Sequence, residues 1–220
     1  MKKFLLMLFL CATVVGTSFA QEEGRRTNSF LVFLHGGYGI LPNKTSGLTN
    51  SSAEYVKELS SGPIWNAQAY YRHKMFIVGL LYSGYTAKNS WEKPYENSFE
   101  TGSDKLLTTY IAPQFGMNIP VGKFDIAFNG GAGGIWYRNN GLVLDNNRKA
   151  KGSSMGANLG LKFGYNFSKH FGISLDVMGV LANLAGINIT QNDKTVRVTY
   201  SAPPLYLNQI TFSLGFKYSL

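Results

Sequence analysis

Strict alternation of large apolar and small polar residues is the feature that most restricts this chain. In "QITFSLGFKYSL", residues 209–220, Ile210, Phe212, Leu214, Phe216, Tyr218 and Leu220 are large and apolar. The residues between them, Thr211, Ser213, Gly215, Lys217 and Ser219, are small or polar. A period of two belongs to a β-strand with one greasy face and one polar face. The pattern recurs upstream, where Met155, Ala157, Leu159, Leu161, Phe163, Tyr165 and Phe167 share one face. After Ser168-Lys169-His170 it resumes with Phe171, Ile173, Leu175 and Val177. Two alternating runs joined by three residues read as a hairpin. Pairing Phe167 with Phe171 sets Lys162 opposite Asp176.

Further hairpins are expected at Pro120–Lys123, where Pro and Gly supply turn dihedrals, and at His73-Lys74. The first strand, "SFLVFLHGGYG", is apolar on both faces, so pattern does not set its register. Polar stretches separate the hairpins at residues 41–62, 88–104, 139–152 and 185–204. The first holds "AEYVKEL", read as a short helix, and the last holds an extra hairpin in "NITQNDKTVRVTY". Strand, long loop, strand, short turn repeats to the end and gives eight strands.

"MKKFLLMLFLCATVVGTSFA" has a positive start, a short apolar run and small residues before Ala20. That is the layout of a secretory signal peptide cut after Ala20, leaving residues 21–220 as the barrel domain. Its apolar core is shorter than the roughly 20 residues of a membrane-spanning helix. No later segment comes closer, so any membrane span is built from strands. Cys11, the single cysteine, lies in the signal and follows Leu10, which is too large for a lipidation site. The mature chain is thus expected to hold no disulfide.

The polar face decides between a water-soluble barrel and a membrane barrel. A solvated sheet surface carries many charges, whereas charged residues are only 15% of this chain, against about 25% in soluble domains. The polar face holds Gly, Ser, Asn, Ala and Gln, with five ionisable residues: Arg72, Asp125, Lys162, Asp176 and Lys217. This suits the narrow lumen of an eight-stranded barrel, which side chains fill. Trp65, Tyr85 and Trp136 fall near the long-loop ends, where an aromatic girdle belongs. Phe76, Phe124, Phe167, Phe171 and Tyr218 fall near the short turns. Removing Lys2 and Lys3 lowers the formal charge from +9 to +7. That excess points to anionic outer-membrane lipid and lipopolysaccharide, not nucleic acid.

In these features the chain resembles the OmpA-like, OmpX-like and OmpW-like small outer-membrane barrels. The resemblance covers the whole mature chain and is one of pattern. It implies an all-β, eight-stranded antiparallel up-and-down barrel in a bacterial outer membrane, monomeric by default, with both mature termini toward the periplasm. It also implies that the barrel-assembly machinery reads the last strand through Phe212, Leu214, Phe216, Tyr218 and Leu220. Leu220 stands where those families usually have Phe.

Chemistry-bearing patterns are few. Lys162 and Asp176 are expected to form a lumenal ion pair, joined by Lys217 or Arg72. "NGGAGG", residues 129–134, lacks the Lys-Ser/Thr of a phosphate loop. Ser168, His170 and Asp176 share a parity, but six residues of strand, about 20 Å, separate His170 from Asp176. His73 also lies in a short turn. His35 lies toward the external end of the first strand, with no Ser–Asp/Glu partners evident. No cluster has metal-ligand spacing, so no enzyme, cofactor or metal is expected. The expected function is structural or surface-interactive through the long loops, with Trp91, Tyr95 and Phe99 as contact residues. Alternatives are a narrow pore or lateral route for small apolar molecules past Leu81, Ile135 and Met178, and a lipid A-modifying enzyme.

Overall fold

The computed structural model describes residues 28–42, 59–95, 98–143, 146–199 and 205–220, leaving out the side chains of 91–101 and 143–146. The signal segment and most of "AEYVKEL" lie outside the described residues. The strands are β1 (Asn28–Ile40), β2 (Ser61–His73), β3 (Phe76–Tyr95), β4 (Ser98–Val121), β5 (Phe124–Val143), β6 (Asn146–Asn166), β7 (Phe171–Leu184), β8 (Gly186–Gln191), β9 (Lys194–Thr199), β10 (Leu205–Tyr206) and β11 (Gln209–Ser219). β1 to β7 pair in sequence order, and β11 pairs with both β7 and β1. The result is a closed antiparallel ring of eight strands. Closure matters because an open sheet would leave unpaired N–H and C=O groups along an edge.

The alternation acts as expected, with the greasy face outward. Phe115, Leu159 and Phe216 are 65%, 76% and 72% exposed, while their polar neighbours Gln114, Asn158 and Lys217 are buried. From Phe124 to Trp136 along β5 the outward face spans about 40 Å, or about 30 Å of height at a 40° tilt. That matches the apolar thickness of a bilayer. Trp65 and Trp136 cap the band, and each lies over a glycine. Trp65 covers its cross-strand partner Gly84, and a Cβ on Gly134 would meet the Trp136 ring at 2.7 Å. Tyr85 departs from the expected girdle: it points inward, is 1% exposed and donates to the Leu59 carbonyl at 2.9 Å.

One rim carries tight connections. Lys74-Met75 joins β2 to β3, one residue later than the expected His73-Lys74, because His73 already pairs with Phe76. Gly122-Lys123 joins β4 to β5, with Gly122 at φ +61°, a conformation that suits glycine. β6 and β7 keep the expected register, with Lys162 opposite Asp176.

The other rim corrects the loop assignment. Residues 88–95, 98–104, 139–143 and 146–152 are not irregular loops but continuations of the ladders, pairing Lys88 with Lys105 and Arg138 with Lys151. β3 to β6 therefore run 20, 24, 20 and 21 residues. The alternation fades there because both faces are polar, yet the hydrogen-bond ladder continues. The extra hairpin forms as β8–β9, closed by Asn192-Asp193, both at positive φ. Between β7 and β8 the pairing along β6 slips by one residue, from Gly156↔Ala182 to Lys151↔Asn188. A slip of one reverses which face each residue occupies. It lets both Leu184 and Ile187 turn inward, over Gly152, where a Cβ would crowd both at 3.1 Å.

"NGGAGG" sits in the middle of β5. Opposite it, Pro113 has no N–H to donate, and the β4–β5 pairing lapses between Ile111↔Gly134 and Gln114↔Gly131. A Cβ at Gly131 would strike the Pro113 carbonyl, and one at Gly133 the Ile111 carbonyl. The glycines serve close strand approach, not phosphate binding.

Candidate functional site

The lumen is packed in layers, not filled by polar side chains throughout as its composition suggests. At the short-turn end, Lys217 on β11 meets Asp125 on β5 at 2.5 Å. Asp125 also accepts from Asn118 at 3.1 Å and Asn166 at 3.0 Å, and Arg72 donates to Asn118 at 3.1 Å. The cross-strand partner of Asp125 is Gly164, where a Cβ would lie 2.6 Å from both carboxylate oxygens. The missing side chain makes room for the charge.

Beside these polar groups, Leu31, Phe33, Tyr70 and Ile77 form a small buried cluster, with Phe33 paired to Lys217 and Ile77 to Arg72. It arises from the two-faced apolar pattern of β1, which puts Leu31 and Phe33 inside and Leu34 outside. Lys162 and Asp176 follow, 3.8 Å apart and both buried. That separation is an ion pair without a hydrogen bond. Lys162 donates instead to Asn129 at 2.6 Å and to Tyr70 at 3.4 Å, with its ammonium 5.3 Å from the Tyr70 ring centre. Asp176 accepts from Gln68 at 2.8 Å.

The five ionisable residues thus form two groups. Lys217 and Arg72, expected to join Lys162 and Asp176, gather around Asp125. A hydrogen-bonded chain runs from Tyr110 through Asn158, Gln114 and Asn129 to Lys162, then through Tyr70 and Gln68 to Asp176. Each amide in it occupies an inward position, so strand parity alone could have found them.

His35 is not near the external end. Its ring stacks on Phe33 at 5.8 Å, and Nε2 lies 2.7 Å from Ser174 Oγ. The partners were invisible in sequence because Ser174 is 139 residues away. The contact is buried beside Lys162 and Asp176. His73 and His170 lie at the short-turn rim, bonded to Asn28 Oδ1 at 2.7 Å and the Ser219 carbonyl at 2.8 Å. Among the described residues no three His, Cys, Asp or Glu side chains form a metal-binding group.

The upper lumen is mostly apolar, with a buried hydrogen bond from Gln209 to Thr108 at 2.6 Å within it. Leu81, Ile135 and Met178 do face it, but they are fully buried in a packed cluster with Leu106, Leu184 and Leu207, not lining an open pocket. Above it, five residues beyond the Trp136–Thr109 level, Asp104 pairs with Arg148 at 3.3 Å across Gly141. Burial pushes the Asp104 carboxyl up and Arg148 partly opposes the shift.

Of the terminal-strand residues, Phe212, Leu214 and Phe216 are exposed, with Tyr218 and Leu220 half-buried. Trp91 and Tyr95 fall on β3 and Phe99 on β4, in the projecting ladders. Their side chains lie outside the described residues.

No protein-family model matches the chain, and no curated protein matches it in sequence. Solved structures do. A major outer membrane protein from Thermus thermophilus aligns over 88% of this chain and 99% of its own, with a TM-score of 0.56 and 11% identity. The outer membrane protein OprG from Pseudomonas aeruginosa aligns over 91% and 99%, with a TM-score of 0.51 and 14% identity. At such identities the likeness is one of fold. With its closed ring and outward apolar band, the chain has the fold of the small eight-stranded outer-membrane β-barrels.

Proposed function

We propose that the barrel serves the envelope as a structural and surface-interaction protein, working through the strand extensions on its long-loop side. The observation that carries this reading is strand length. A crossing needs roughly 10 residues, whereas β3 to β6 run 20 to 24. Beyond the Trp136 level β3 and β4 project about 36 Å along the strand and β5 and β6 about 23 Å, a four-stranded wall. Among the described residues, the buried cluster around Leu81, Ile135 and Met178 packs the upper lumen, which favours interaction over diffusion. Trp91, Tyr95 and Phe99 near the tip of this wall are its proposed contact residues, and the periplasmic placement of both termini belongs to the same proposal.

Single-cysteine labelling tests the orientation. A membrane-impermeant maleimide should label Ser90→Cys in intact cells, and Lys74→Cys only after the outer membrane is permeabilised. The opposite pattern would sink the reading. Removing residues 91–100 should leave a heat-modifiable folded barrel yet reduce attachment of cells to a mucin-coated surface. Unchanged attachment would leave only the structural part.

A second reading, a lateral route for small apolar molecules, is favoured by the lapse in pairing where β7 passes into β8. Residues 152–155 of β6 lie between its two ladders there, next to the apolar upper lumen. Leu184, Ile187 and Leu207 plug that point. Vesicles holding the Ile187→Ala/Leu207→Ala variant should then take up a small apolar dye several-fold faster than wild type. Equal rates would remove this reading.

A further inference from the structure

The cross-strand register gathers six outward cations of the long-loop side into one patch. Lys88 pairs with Lys105, Lys105 with Asn140, and Asn140 with Lys149. One rung nearer the membrane, Arg138 pairs with Lys151, Lys151 with Asn188, and Asn188 with Arg197. Directly paired residues of an antiparallel sheet share a face. All six cations are exposed, so both rows face outward.

Two of these pairs, Lys88–Lys105 and Arg138–Lys151, set like charges directly opposite each other, which destabilises a sheet unless something neutralises them. Among the side chains that are described, few could. Of their carboxylates, Asp104, Asp125 and Asp176 are buried inside, and Asp193, in the β8–β9 turn, is exposed. The three ion pairs of the described residues all involve those inward aspartates.

Depth identifies the missing partner. Arg138 follows Trp136 by two residues on the same face of β5, about 7 Å further along the strand. Tryptophan marks the apolar–polar boundary of the membrane, so the two rows stand at headgroup depth. Below Lys151, the outward face of β6 continues to Met155 and Ala157. These border a shallow depression shared with Leu181, rimmed by Ser154, Asn183, Tyr206 and Asn208. Cations stand above, an apolar groove lies below and polar rim atoms sit between.

We infer that Lys88, Lys105, Arg138, Lys149, Lys151 and Arg197 form a binding site for the phosphorylated headgroup of an outer-leaflet glycolipid. One of its acyl chains lies along Met155, Ala157 and Leu181. The inference rests on the barrel being embedded up to Trp136, with its long strands toward the outer leaflet. It names the lipid as a partner of specific residues, beyond a general attraction of positive charge.

The test uses the full mature chain in neutral detergent, titrated with dansyl-labelled lipopolysaccharide and read by energy transfer from the tryptophans. Arg138→Gln/Lys151→Gln removes two cations from the belt, and Lys74→Gln/Lys169→Gln removes two from the opposite rim at the same net charge. The belt variant is expected to bind roughly 10- to 30-fold more weakly, at a basic residue's usual worth near an anionic surface. The rim variant should bind like wild type, and dephosphorylated lipid A as weakly as the belt variant. Equal losses at both rims, or no loss at the belt, would overturn the site. So would a heparin fragment outcompeting the lipid, which would reassign the belt to a soluble polyanion. The measurement needs no cell, so a failed maleimide pattern and a failed titration are separate results.

Discussion

Replacing Asp176 by alanine is expected to cost the folded barrel about 3–5 kcal/mol, the usual penalty for stranding a buried charge. Asp176 is fully buried, accepts from Gln68 at 2.8 Å and is the counter-charge of Lys162 at 3.8 Å. Without it, the ammonium keeps Asn129 and Tyr70, neutral groups that cannot balance its charge. Removing both charges, as Lys162→Met/Asp176→Leu, should restore most of the loss, because the desolvation cost disappears with the pair. Urea titrations in detergent micelles, scored by the fraction that resists SDS until boiled, measure both. A single variant losing less than about 1 kcal/mol would mean that water reaches Lys162 and that the layer is not sealed.

Leu159→Arg carries the other large effect, and its sign depends on the solvent around the barrel. Leu159 is 76% exposed at mid-height on β6. On a water-soluble barrel such a change is worth about ±0.5 kcal/mol. In a bilayer it places a cation near the midplane and should cost about 2–4 kcal/mol. Refolding into lipid vesicles across a urea series measures the difference. A neutral or stabilised variant would mean that this face does not meet hydrocarbon.

How far the sequence carried the reading depended on whether both sides of a strand differ. β6 and β7 were legible down to the Lys162–Asp176 rung, since one face is greasy, the other small and polar, and the connection is short. β1 was not, because Leu31 and Phe33 turn inward while Leu34 and Tyr38 turn out, and all four are apolar or aromatic. The far ends of β3 to β6 were hidden for another reason: polar residues interrupt both faces there, so alternation had little to register. The lumen was legible in composition but not in arrangement. Parity shows that Lys217 and Asp125 point inward, yet their meeting across 92 residues depends on ring closure and stagger. The same stagger brings His35 to Ser174 and builds the cation rows, which no local pattern in one strand displays.

The seam where the ring closes has a consequence for how the molecule comes into being. Leu31 pairs with Ser219, and Phe30 and Leu220 exchange backbone hydrogen bonds at 3.1 and 2.9 Å. These contacts join residues separated by nearly the whole described chain. A hairpin such as β6–β7 can form as soon as its turn exists, on a microsecond scale. The seam must wait for every strand between and meet the loop-closure entropy of them all. Until then the sheet has two raw edges, each able to pair with a neighbouring chain. A growing barrel is therefore most vulnerable just before it is finished, and chaperoning is needed most by the sheet that lacks only its final strand.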